Sequence, residues 1–175
     1  MAGREAGEKA LETAGIERPD FVFAFASVGY DQQALLGAVR KATQGAPLCG
    51  SSGEGIIAET EADESNFSVA VMAISSDELR FNSVIATDLK RDSEGAGRRI
   101  AEALRPKIGH DALGVVMLAD GLMLNFDRFL SGFEAAVGLD RPLPLFGGTS
   151  ADNWDSPHGG AKQVEIMVTE VLPLS

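Results

Sequence analysis

Pro47-Leu48-Cys49-Gly50-Ser51-Ser52 returns as Pro144-Leu145-Phe146-Gly147-Gly148-Thr149, ninety-seven positions further along the chain. The agreement extends outward on both sides. Upstream of each motif lies an apolar run and then a helical pattern: FVFAFAS (21–27) with DQQALLGAVRKATQ (31–44), and LGVVMLAD (113–120) with NFDRFLSGFEAAVG (125–138). Downstream, SVAVMAIS (68–75) answers to QVEIMVTEV (163–171), and a small-residue helical segment opens each copy, GREAGEKALETAG (3–15) and SEGAGRRIAEALR (93–105). Self-similarity at a fixed offset marks a repeated supersecondary unit. The expectation is an α/β fold of internally duplicated helix-strand-helix-strand-turn-strand units, with mixed sheets covered by helices. It forms a single domain of two pseudo-repeats, about 1–90 and 91–175.

Each element has a local reason. FVFAFAS and LGVVMLA are unbroken apolar runs, too short for helices, as strands covered on both faces require, so they are expected at the centre of their sheets. Asp31 and Asn125 are N-cap types placed just before helical apolar spacing: Ala34, Leu35, Ala38, Val39 and Ala42 in one copy, Phe126, Phe129, Leu130, Phe133 and Val137 in the other. Ser93 is the expected cap of a helix carrying Ala96, Ile100, Ala103 and Leu104 that stops by Arg105, ahead of Pro106. The segment 80–88 (RFNSVIATD) reads as a strand between the copies. It belongs either to the first copy alone or to a strand position whose first-copy equivalent is missing.

Fifteen basic against 26 acidic side chains leave a net charge of −11 over 175 residues, 45% of them apolar. Such a chain hides roughly 70% of its unfolded surface and needs no disulfide or structural metal to build a core. Acidic charge spread along the chain, with no basic cluster longer than a pair, argues against nucleic-acid binding. The apolar stretches 21–30 and 67–76 are half of what a bilayer-spanning helix needs, so no membrane partner is expected. One cysteine, Cys49, and the charged opening MAGREAGEKAL fit a cytoplasmic setting without a signal peptide.

Several motifs read more simply than they look. Gly53-Glu54-Gly55-Ile56-Ile57-Ala58 has the spacing of a dinucleotide fingerprint, but such a fingerprint must open a helix, and Ile56-Ile57 favours a strand. Gly50-Ser51-Ser52-Gly53 lacks nucleophile-elbow spacing. The acidic run 59–66 (ETEADESN) reads as a solvated loop between strands at 54–58 and 67–75, without the pattern of a calcium loop. Cys49 reads as a buried thiol, its counterpart Phe146 being taken as a core residue. His110 and His158 have no partner at metal-ligand spacing. His158, beside Gly159-Gly160, is the better placed to approach a ligand, haem included.

The paired glycine motifs are the candidate ligand site. Gly50, Ser51, Ser52 and Gly53, with Gly147, Gly148, Thr149 and Ser150, combine close backbone approach with amides and hydroxyls able to bond a small polar molecule. The competing reading is that these glycines serve tight packing. If the duplication places the two motifs about a pseudo-twofold axis, they face one crevice with Glu54, Asp120, Asp152 and Asn153 at its rim. Carboxylates there suit a ligand ammonium or hydroxyl, and backbone amides suit a carboxylate.

In these residues the chain resembles the N-terminal half of the FIST sensory domain, named for F-box and intracellular signal transduction proteins. The resemblance rests on AGREAGEKAL, PDFVFAFAS, APLCGSSGEGII, the strand ending in LADG, and PLFGGTSADN, and it covers nearly the whole chain. The family's companion C-terminal domain and the strand before its first helix have no counterpart in these residues. The resemblance implies a sensory input module for a small molecule such as an amino acid, coupled to a signalling output domain or partner protein, some members being linked to haem and nitric oxide.

The expectation is therefore a non-enzymatic, cytoplasmic ligand-binding domain without a resident cofactor. The alternatives are a small hydrolase or transferase using Cys49 or Ser52 with Glu54 as base, a haem-binding gas sensor, and an interaction scaffold. The half-polar alternation of QVEIMVTEV reads as an exposed edge strand at which a homodimer could form.

Overall fold

The computed structural model describes residues 1–58, 61–109, 112–150 and 166–173, the last as backbone. The chain divides into two compact units, one built on residues 1–76 and the other on 77–150 with the closing strand. Four helices interleave with strands in mixed sheets, an α/β fold. Among the described residues no helix is long and apolar enough to cross a membrane.

The first unit runs α1 (Ala2–Ala14), β1 (Phe21–Ser27), α2 (Gln32–Ala42), β2 (Leu48–Gly53), β3 (Ile56–Ala58), β4 (Glu61–Asp63) and β5 (Val69–Ile74). Its main sheet has the order β2-β1-β5, with β1 parallel to β2 and antiparallel to β5. The apolar run of β1 is central, as its composition requires. Alternation gives it two faces. Val22 and Ala24 pack with Val39, Ala46 and Leu48 in the core beneath α2, while Phe21, Phe23 and Phe25 form a ring-to-ring row on the other face.

The second unit runs β6 (Leu79–Asn82), β7 (Ile85–Ala86), α3 (Ser93–Leu104), β8 (Val115–Asp120), α4 (Phe126–Val137), β9 (Leu145–Ser150) and β10 (Ile166–Pro173). Its sheet has the order β6-β10-β8-β9, with β7 also on β10. Here β8 is central, parallel to β9 and antiparallel to β10. Each sheet thus has a central apolar strand, a parallel neighbour carrying the glycine motif, and an antiparallel neighbour. Val115, Met117 and Ala119 of β8 pack under Ile100 and Leu104 of α3 and Phe129 and Phe133 of α4. Burial of each large side chain of this kind contributes about 1.5–3 kcal/mol. The two helices meet backbone to backbone: a Cβ added at Gly97 would lie 2.1 Å from the Phe129 carbonyl oxygen, and one at Gly132 would lie 2.0 Å from that of Glu94.

Several expectations need correction. The glycine motifs are strands, β2 and β9, and in the first unit the chain turns only afterwards, at Glu54-Gly55. Gly50 and Gly147 are there because the neighbouring strand comes too close for a side chain. A Cβ at Gly50 would fall 1.7 Å from the Ala24 oxygen, and one at Gly147 1.8 Å from the Met117 oxygen. Phe146 is not a core residue: on edge strand β9 it lies against Gly114 and stays 58% exposed.

The acidic run is no simple loop, since Glu61–Asp63 pairs with Ile56–Ala58 as a hairpin. The cap of α3 is Asp92, which accepts the Gly95 amide, whereas Ser93 donates to the Leu89 oxygen and accepts the Asn125 amide, tying the starts of α3 and α4 together. Ala34, Ala103 and Phe126, expected on buried stripes, are exposed; Ala34 and Phe126 sit in first turns, ahead of the parts of the helices that meet the core.

The segment 80–88 supplies β6 and β7, both paired with β10 in the second unit. With β8 on its other side, β10 is an interior strand. Its half-polar alternation was therefore a poor sign of an edge, because period-two patterning reports the two faces of a strand and not its in-plane neighbours.

Candidate ligand site

Parallel pairing brings the carboxyl ends of β1 and β2 together, and likewise those of β8 and β9. The helix that follows each central strand begins at the same end. Asp31 caps α2 by accepting the Ala34 amide, and Asn125 caps α4 by accepting that of Arg128, as their positions in the sequence require. In open α/β sheets ligands bind outside the carboxyl ends of the strands, where helix N-termini also present amides. The register gathers the polar residues there. Ser27 pairs with Gly53 and Ala26 with Ser52; Asp120 pairs with Ser150 and Ala119 with Thr149.

The two ends differ in how their polar groups are satisfied. Ser27 is fully buried. Its hydroxyl donates to the Ser68 carbonyl at 3.3 Å and accepts the Ser68 amide at 2.8 Å, stitching the end of β1 to the approach to β5. Tyr30 reinforces this by donating to the Phe67 carbonyl at 2.5 Å while its ring stands edge-on to that of Phe67.

Asp120 is 6% exposed. Its Oδ1 accepts the amides of Leu122 at 2.9 Å and Met123 at 3.2 Å, turning the chain toward α4. Beside it, the Ser150 hydroxyl donates to the Ala119 carbonyl at 3.2 Å.

Of the residues singled out from sequence, Gly50, Ser51, Ser52 and Gly53 are half-buried on β2, and Glu54 is exposed at the turn after it. Gly147, Gly148 and Thr149 are exposed on β9 and Ser150 is half-buried. A Cβ at Gly148 would meet nothing within 4 Å, so unlike Gly50 and Gly147 this glycine fronts open space. Cys49, whose register partner is Phe23, is fully buried, as expected of a packed thiol. Asp152, Asn153, His110 and His158 lie outside the described residues. Among the described residues no group of three or more His, Cys, Asp or Glu is placed to hold a metal ion. Sequence reasoning passed over Ser27 and Ser68, although a polar residue ending FVFAFAS just as Asp120 ends LGVVMLAD was a usable signal.

Two α/β units with polar residues gathered at the ends of parallel strands fit the sensory class of domain. The model of the FIST N domain matches residues 20–165, and the chain belongs to that family, a sensory domain of signal transduction. No curated protein matches the chain.

Proposed function

We propose that this chain is a sensory input domain that binds a small polar molecule, such as an amino acid, at the carboxyl ends of its parallel strands and passes occupancy to a signalling output domain or partner. The two units are read as structural copies. The observation that carries the reading is the matched register: in both units a small hydroxyl residue stands next to last in the strand neighbouring the central one, Ser52 in β2 and Thr149 in β9, with a second hydroxyl beside it, Ser51 before the one and Ser150 after the other. Small side chains at strand ends leave amides and hydroxyls within reach of a ligand. Burial of Cys49 speaks against its use as a nucleophile, which needs an accessible thiolate.

A thermal-shift panel of amino acids, small carboxylates, nucleotides and haem tests this. A ligand binding only the native chain at a hundred times its Kd adds about 2.7 kcal/mol of stability and raises Tm by several degrees. A panel that leaves Tm unmoved overturns the reading in favour of an interaction scaffold.

A further inference from the structure

Ser27 and Asp120 occupy the same register position at the ends of the two central strands, two residues beyond Phe25 and Leu118 respectively. In the first unit that position is closed, because the Ser27 hydroxyl both donates to and accepts from Ser68. In the second the described residues do not close it. The turn into α4 uses one oxygen of Asp120, Oδ1, for both the Leu122 and Met123 amides. A neutral acceptor such as Asn would serve that turn equally well.

The second oxygen of a carboxylate that is 6% exposed receives no donor from the described residues, and the described ion pairs engage Arg4, Arg98, Arg99 and Arg128 with other acids. A buried carboxylate is costly to keep without a cationic or multiply donating partner. A divalent ion is a poor candidate, since hard cations need several oxygen ligands and the described residues gather no group of three or more His, Cys, Asp or Glu at Asp120.

We infer that Asp120 is the recognition carboxylate for a ligand ammonium group, its Oδ2 accepting the ligand's N–H, and that this contact belongs to the second unit, with no counterpart at Ser27. The inference deepens the ligand-binding reading above and rests on it. It selects primary amines over their neutral analogues, because a charge-assisted hydrogen bond is about twice as strong as a neutral one.

The test uses the full chain and matched probes: small amino acids and short primary amines against their N-acetylated forms and the corresponding free carboxylates, by calorimetry and thermal shift. Free amines are expected to bind at least ~10-fold tighter than the N-acetylated forms. D120N keeps the Oδ1-type acceptor for the two amides and replaces Oδ2 with a donor, so it should lose the same factor while S27A does not.

Equal binding of acetylated and free amines by the unaltered chain overturns the assignment whether or not D120N folds. So does a D120N chain that loses stability but not affinity. Binding of carboxylates alone, undiminished in D120N, ends the ammonium assignment and leaves the ligand-binding reading standing; a panel in which nothing binds ends both.

Discussion

Ser27 and Asp120 end the central strands of the two units at one position of a common register, yet they do different work. Ser27 exchanges two hydrogen bonds with Ser68 and fixes the end of β1 to the segment entering β5. Asp120 folds its own chain into α4 through Oδ1, and no donor among the described residues reaches its second oxygen. The helix layers differ as well. In the second unit Phe129 and Phe133 stack on one face of α4 and are almost wholly buried, whereas α2 presents Leu35 and Val39. Matched strand pairing therefore does not imply shared duties: one unit encloses its polar strand end with its own chain, while the other carries its buried rings on the helix and ends its strand in a carboxylate with one oxygen that no described residue meets.

The comparison can be broken most readily at the cores. Phe133→Ala should cost about 3–5 kcal/mol in urea unfolding, with Leu35→Ala lower in a range of about 2–5 kcal/mol; a larger loss for Leu35 would reverse the ranking of the two cores. Next come the matched glycines. Gly50→Ala and Gly147→Ala each press a methyl group into a carbonyl oxygen of the adjacent strand, at an expected cost of about 1–3 kcal/mol. The Gly147 change should be the more damaging, because its φ of 147° is also unfavourable for a residue with a Cβ. If Gly50→Ala left the unfolding midpoint unchanged, the two strand pairs would not be energetically equivalent. Smallest is Ser27→Ala, which deprives the buried Ser68 amide of its acceptor and should lower stability by about 1–2 kcal/mol. A neutral result would mean that the stitch between β1 and β5 is not what holds that end together.

Sequence patterning located the central strands, the four helices and two of their caps, because apolar runs and Asp31 or Asn125 ahead of a stripe act locally. In-plane neighbours of a strand leave no such trace. Nothing in RFNSVIATD or QVEIMVTEV says that they pair with each other across some eighty intervening residues, which is why β10 reads as an edge and is not one. The candidate site was legible as a list of small polar residues but not as an arrangement. Gly50 and Gly147 proved to be dictated by strand contact, and the burial of Asp120 depends on tertiary packing that periodicity cannot express.

The position of β10 between β8 and the pair β6 and β7 bears on how the molecule assembles during synthesis. The described strands of the first unit's main sheet, β2, β1 and β5, have all been made once Ile74 has left the ribosome, so that sheet can form while translation continues. The second sheet stays split until its last strand, Ile166–Pro173, arrives to bridge the two parts. A nascent chain that has emerged as far as residue 150 therefore presents a second sheet with its middle strand missing, the stage at which unsatisfied strand edges are most exposed to aggregation or to chaperone capture.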